Sequence, residues 1–184
     1  NIIHCRINAF NRDDISPDKV APKIYQLINE NYLGLNGENN VYAYTGGYLN
    51  NGNGNQEFYI YRAFDAYYFS PAYTNGAFAL DMSLATHNLE MWGVGPDWAP
   101  QEFDIITIPK MNGTLPADLG EEFCAYIRNQ SGDVYLTNQL NNIGGEEFTG
   151  NSRQIWRFNK QSNGAYSISS VYDNACMDVL GITL

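Results

Sequence analysis

A glutamine two residues ahead of a large aromatic occurs three times in this chain: Gln56-Glu57-Phe58, Gln101-Glu102-Phe103 and Gln154-Ile155-Trp156. The second interval is the longer, and it contains the Pro- and Gly-bearing stretch Pro109-Lys110-Met111-Asn112-Gly113-Thr114-Leu115-Pro116. Self-similarity at a period of roughly 20–50 residues marks a repeated structural unit, and it limits the folds open to the chain. The aromatic of each motif suits a core plug. The glutamine amide, with both donors and an acceptor, suits a tie between strand and loop backbone.

Short apolar or alternating runs separated by turn residues precede each motif, which predicts strands. The first copy runs Ile24–Asn29, Tyr32–Asn36, Val41–Tyr44 and Asn55–Ile60. The second runs Ala66–Ser70, Phe78–Met82, Leu89–Trp92 and Pro100–Ile105, and the third Phe123–Arg128, Val134–Asn138, Glu146–Phe148 and Arg153–Phe158. A fourth opens with Ala165–Ser169 and Ala175–Val179. The expected division is an N-terminal extension over 1–21, a domain over 22–160, and the start of a second domain (or a tail) over 161–184. Pro22 argues against a helix through Val20, Ile24, Leu27 and Ile28, so a strand is expected over Lys23–Asn29.

Composition agrees with an all-β protein: 17 Gly and 14 Tyr with only 16% charged residues favour short strands and many turns. A formal charge of −10 argues against nucleic acid and anionic membranes, which call for clustered Lys and Arg. No apolar run approaches the roughly 20 residues of a membrane-spanning helix, so direct membrane insertion is not expected. Cys5, Cys124 and Cys176 form no CxxC pair, so no metal site is expected and at most one internal disulfide is possible. Low charge with abundant Tyr, Asn and Gly leans towards a secreted, extracellular protein. Asn112-Gly113-Thr114 and Asn129-Gln130-Ser131 are glycosylation sequons if the source glycosylates.

Two histidines, His4 and His87, are too few and too isolated for acid–base work. The pairs Asp13-Asp14, Glu121-Glu122 and Glu146-Glu147 would point to opposite faces of a strand, whereas a glycosidase needs two facing carboxylates. No catalytic residue, metal or cofactor is therefore expected. Asp81 and Trp92 lie on neighbouring predicted strands, and this pairing suits a sugar. The indole takes the apolar face of the ring and the carboxylate accepts from hydroxyls.

Three four-strand units ending in Gln-x-Phe or Gln-x-Trp resemble the ricin-B-type β-trefoil lectins. The resemblance covers residues 22–160 as three repeats and 161–184 as the opening of another. It implies a six-stranded barrel capped by three hairpins, with one potential site per repeat for galactose or N-acetylgalactosamine. Each site would use an Asp on the second strand, an aromatic ending the third, and an Asn before the Gln. Carried over, the second repeat offers Asp81, Trp92 and Gln101, with Pro100 in place of the Asn and His87 or Asn88 as a substitute contact. The first offers Tyr44 and Asn55 but has Gly34 at the Asp position. The third has Thr137, Phe148 and Arg153, which reads as structural. The fourth supplies Asp178 in Cys176-Met177-Asp178-Val179. The implied function is a carbohydrate-binding module that targets cell-surface glycans, of the haemagglutinin or toxin-component kind, with a toxin or enzyme as partner. The alternative is a trefoil scaffold that binds protein, as a complex subunit or protease inhibitor with decayed sugar sites.

Overall fold

The computed structural model describes residues 40–95, 97–109 and 119–179, and these form an all-β protein. Twelve strands follow in order: β1 (Val41–Tyr44), β2 (Phe58–Ala63), β3 (Ala66–Pro71), β4 (Phe78–Met82), β5 (Leu89–Gly93) and β6 (Phe103–Ile108), then β7 (Glu122–Asn129), β8 (Val134–Asn138), β9 (Ile143–Glu146), β10 (Trp156–Lys160), β11 (Tyr166–Ser170) and β12 (Cys176–Val179). Helical structure among the described residues is limited to three single turns, Ala72–Thr74, Ala99–Gln101 and Ser152–Gln154.

The pairings close a ring. β2 pairs β3, β3 pairs β6, β6 pairs β7, β7 pairs β10, β10 pairs β11, and β11 returns to β2, all antiparallel. The remaining six strands form three antiparallel pairs, β4–β5, β8–β9 and β12–β1. A closed barrel leaves no exposed strand edge along its wall. Six barrel strands with three additional pairs are consistent with the β-trefoil implied by the resemblance.

One expectation is overturned here. Residues 161–179, expected to open a second domain or to form a tail, supply β11 of this same barrel and β12 of the β12–β1 pair. Val41 pairs Val179, Tyr42 pairs Asp178, Ala43 pairs Met177 and Tyr44 pairs Cys176. β1 and β2 therefore find their unit partners at the far end of the chain. A cyclic repeat has no marked starting point, so its phase cannot be read from the order of motifs alone. The strands expected over 24–29 and 32–36, and Gly34 with them, lie outside the described residues.

Alternation of buried and half-exposed residues is clearest along β6, β7 and β10, as expected for strands with one face on a core. The three motif aromatics, Phe58, Phe103 and Trp156, are fully buried. Phe69 meets Phe103 edge-on at 5.5 Å, and Phe123 stacks on Phe158 at 4.6 Å. The Trp156 indole also donates to the Leu136 carbonyl at 2.9 Å, satisfying its polar atom inside the core.

Each motif glutamine ties a loop as its chemistry predicts. Gln56 accepts from Leu49 N, Gln101 from Gly95 N and Gln154 from Thr149 N, while their amides donate to the carbonyls of Gly47, Gly93 and Glu147. A further element joins the three strand pairs. Asn40, Asn88 and Asn142 directly precede β1, β5 and β9, and their side chains form a closed ring of hydrogen bonds. Asn40 donates to Asn142 at 2.9 Å, Asn142 to Asn88 at 2.9 Å and Asn88 to Asn40 at 2.7 Å.

Candidate functional site

The register of β1 on β12 sets the site. Asp178 stands opposite Tyr42, and the backbone N–H of Val179 donates to the Asn55 carbonyl at 3.0 Å. Asn55 and Gln56 are thereby held beside the Asp178 carboxylate. The Asn55 amide donates to Asp178 Oδ1 at 2.9 Å and the Gln56 amide to Oδ2 at 2.7 Å. Each carboxylate oxygen retains acceptor capacity for a ligand hydroxyl. Burial pushes the Asp178 carboxyl above its ordinary range, and the hydrogen bonds from Gln56 and Asn55 pull the other way. Oδ1 of Asn55 is buried and has no hydrogen-bond partner among the described residues. A buried orphan acceptor calls for an explanation, and a bound hydroxyl would supply one.

Tyr44 ends β1 with 41% of its surface exposed. The chain then turns, with Gly47 N donating to the Tyr44 carbonyl at 3.1 Å. A Cβ at Gly46 would overlap the Tyr44 ring, so glycine is what lets the ring lie there. Tyr44, Asp178, Asn55, Tyr42 and Thr45 line one cleft of about 420 Å³, together with Asn141 from the β8–β9 turn. That volume falls within the range of about 300–1,000 Å³ usual for small-molecule sites. The contact set is a planar aromatic, a carboxylate and a side-chain amide. It can hold a polyol ring by its apolar face and its hydroxyls.

The second unit differs. Asp81 on β4 faces Glu90 on β5, and Trp92 lies at the same register position as Tyr44, two residues further along. Asp81 is only 6% exposed, and the indole Nε1 of Trp98 donates to its Oδ2 at 3.0 Å. Being almost wholly buried, Asp81 is less accessible to a ligand hydroxyl than the partly buried Asp178. Burial raises the Asp81 carboxyl, opposed by hydrogen bonds from Gln101 and Trp98, and Glu90 is raised by burial and then by the Asp81 charge. Trp92 remains 38% exposed. The substitute contacts expected at this carboxylate are placed otherwise. Asn88 is committed to the asparagine ring, and His87 is an exposed residue at φ 54° in the turn between β4 and β5. Gln101 is fully buried and serves the loop tie.

In the third unit Thr137 stands opposite Gly144, at the register position of Asp178 and Asp81, and accepts from the Gln154 amide at 3.1 Å. Glu146, not Phe148, holds the position equivalent to Tyr44 and Trp92. Phe148 instead packs on Tyr126 at 5.1 Å and Tyr135 at 4.8 Å. The Arg153 guanidinium lies 4.8 Å over the Tyr172 ring. The structural reading of this unit fits that arrangement.

Of the residues expected from sequence, the structure brings Tyr44, Asn55 and Asp178 together, and separates Asp81, Trp92, His87, Asn88 and Gln101 from them. Tyr42, Thr45 and Asn141 carry no sequence signal for the site; the β1–β12 pairing places Tyr42 and Thr45 there, and the β8–β9 turn brings Asn141. Cys176 is buried opposite Tyr44, and burial pushes its thiol up to about 12. Among the described residues both Cys124 and Cys176 are free, and no cluster of His, Cys, Asp and Glu could hold a metal ion. Asn129, in one sequon, is fully buried with its amide donating to the Pro100 carbonyl, so the folded chain does not present it for glycosylation.

No protein-family model matches the chain, and no curated protein sequence matches it. Among solved structures, the chain is similar to a designed 3-fold symmetric protein, ThreeFoil, with a TM-score of 0.41 and 14% sequence identity over 58% of this chain and 83% of that one.

Proposed function

We propose that the chain is a β-trefoil lectin domain whose working carbohydrate site is the cleft of Tyr44, Asn55 and Asp178. The ligand class is glycans of the galactose or N-acetylgalactosamine type displayed on cell surfaces, and the setting is a secreted protein or toxin component. The observation that carries the reading is the convergence of Asn55 and Gln56 on Asp178 beside an exposed Tyr44 ring. Asp178, Tyr44 and Asn55 are the three residue types the lectin resemblance asks for, drawn from opposite ends of the sequence. Asp81, the stronger candidate on sequence alone, is the weaker one because its carboxylate is almost wholly buried, with the Trp98 indole bonded to it. With one open site, affinity per chain would be modest, and avid binding to a surface would depend on multivalency.

The test is a glycan-array screen of the chain beside its Tyr44→Ala variant, a change at an exposed side chain that spares the core. Binding of galactose-type glycans by the parent and its loss in Y44A support the reading. Equal binding by both, or none by the parent, overturns it. A second reading, a scaffold for a protein partner, is favoured by the exposed Phe148 and Ile108 around a cleft with Tyr126 and Tyr135. It predicts an empty array.

A further inference from the structure

The cleft is also lined by Asn141, which belongs to a different unit from Tyr44. Asn141 and Leu140 form the two-residue tip of the β8–β9 turn, closed by a 2.9 Å bond from Gln139 N to the Asn142 carbonyl. Both tip residues have positive φ, 62° at Leu140 and 81° at Asn141. Such a primed turn is ordinarily built from Asn-Gly or Gly-Gly, and a leucine there is strained. Turn chemistry therefore does not account for the choice of Leu140, which is also half exposed at 50%. Strained residues persist where the surroundings hold them, and they concentrate at ligand sites.

The surroundings do hold this tip. Asn138 Oδ1 accepts from Leu140 N at 2.9 Å, and the Asn138 amide donates to Asp173 at 2.8 Å. Asn142 is fixed by the asparagine ring, which links it directly to Asn40 at the start of β1. The Asn141 amide is thus presented to the cleft on a braced turn, and a pre-organised group loses little freedom on binding.

Resting on the lectin reading above, we infer that the Leu140–Asn141 tip is a second subsite that recognises the residue glycosidically linked to the sugar on Tyr44. The site reads a glycan of at least two residues. Tyr44, Asn55 and Asp178 hold the first ring. The Asn141 amide, both donor and acceptor, meets hydroxyl or acetamido groups of the second, and the exposed Leu140 side chain offers an apolar surface beside it.

The experiment compares two probes by titration calorimetry: methyl β-galactoside, and lactose as a disaccharide ending in the same sugar. The proteins are the parent, Asn141→Gly and Leu140→Gly. Glycine accepts positive φ, so both variants keep the turn. The parent is expected to bind the disaccharide more tightly. Asn141→Gly is expected to lose about five- to tenfold more affinity for the disaccharide than for the monosaccharide, the scale of one hydrogen bond. Equal losses on both probes, or no loss on the disaccharide, overturn the subsite and leave the Tyr44 site standing. A parent that binds neither probe overturns both.

Discussion

The Gln56 amide nitrogen lies 2.7 Å from Asp178 Oδ2, a contact that spans 122 residues of sequence. The same side chain holds Leu49 N and the Gly47 carbonyl, so one glutamine serves both the loop tie and the candidate site. Gln154 makes the corresponding bonds around Thr137, where no carboxylate stands. Gln56→Ala and Gln154→Ala are therefore expected to destabilise by comparable amounts, about 1–3 kcal/mol each, since both strand buried partners. Only Gln56→Ala should also weaken glycan binding. Urea unfolding alongside a binding titration separates the two effects.

Trp98 predicts a contrast between the carboxylates. Trp98→Phe removes the indole N–H from Asp81, and its hydrogen bond is one of the influences that lower the Asp81 pKa. The Asp81 carboxyl should then titrate higher than in the parent, read by carbon-detected NMR. Binding at the Tyr44 cleft should be unchanged.

Gly46 should be intolerant of a side chain for a local reason. In Gly46→Ala the added methyl overlaps the Tyr44 ring and displaces it. The aromatic contact is worth roughly 1 kcal/mol, so affinity should fall about fivefold. Stability should change by less than about 1 kcal/mol, because Tyr44 is exposed and can swing aside.

The pH dependence follows from the raised Asp178 carboxyl. Binding needs the ionised form as acceptor. It should fail on acidification as pH drops through a value above the ordinary aspartate range near about 4. Stability runs the other way: a folded pKa above the unfolded one gives a contribution fully present below the unfolded value and lost as pH rises through the folded value. Asp178 is only partly buried, so this stability effect is small beside the binding effect. Calorimetric affinities and thermal melts between about pH 4 and 7 test both signs.

Much of the fold was legible. The Gln-x-aromatic motifs mark the starts of β2, β6 and β10 because a core plug with a loop tie needs those two residue types at that spacing. The runs Phe78–Met82, Leu89–Trp92 and Val134–Asn138 read as strands and are strands. What could not be read is which strand faces which. Tyr32–Asn36 is the adjacent candidate partner for β1, and neighbours in sequence usually pair. The actual partner of Tyr42 is Asp178, more than a hundred residues away, and that single pairing turns Tyr44 and Asn55 from a site lacking its carboxylate into one that has it. From the sequence the loop carrying Trp98 could leave the indole exposed or fold it back over the site, and packing, not residue type, puts it on Asp81.

The most direct test of the Tyr44–Asn55–Asp178 site is a two-dimensional amide NMR titration of the intact chain with a galactose-type glycan. The account predicts shifts concentrated at residues 42–45, 55 and 176–179, with the amides around Asp81, Trp92 and Trp98 unmoved. Shifts centred on Asp81 and Trp92 instead, or none at saturating glycan, would contradict it.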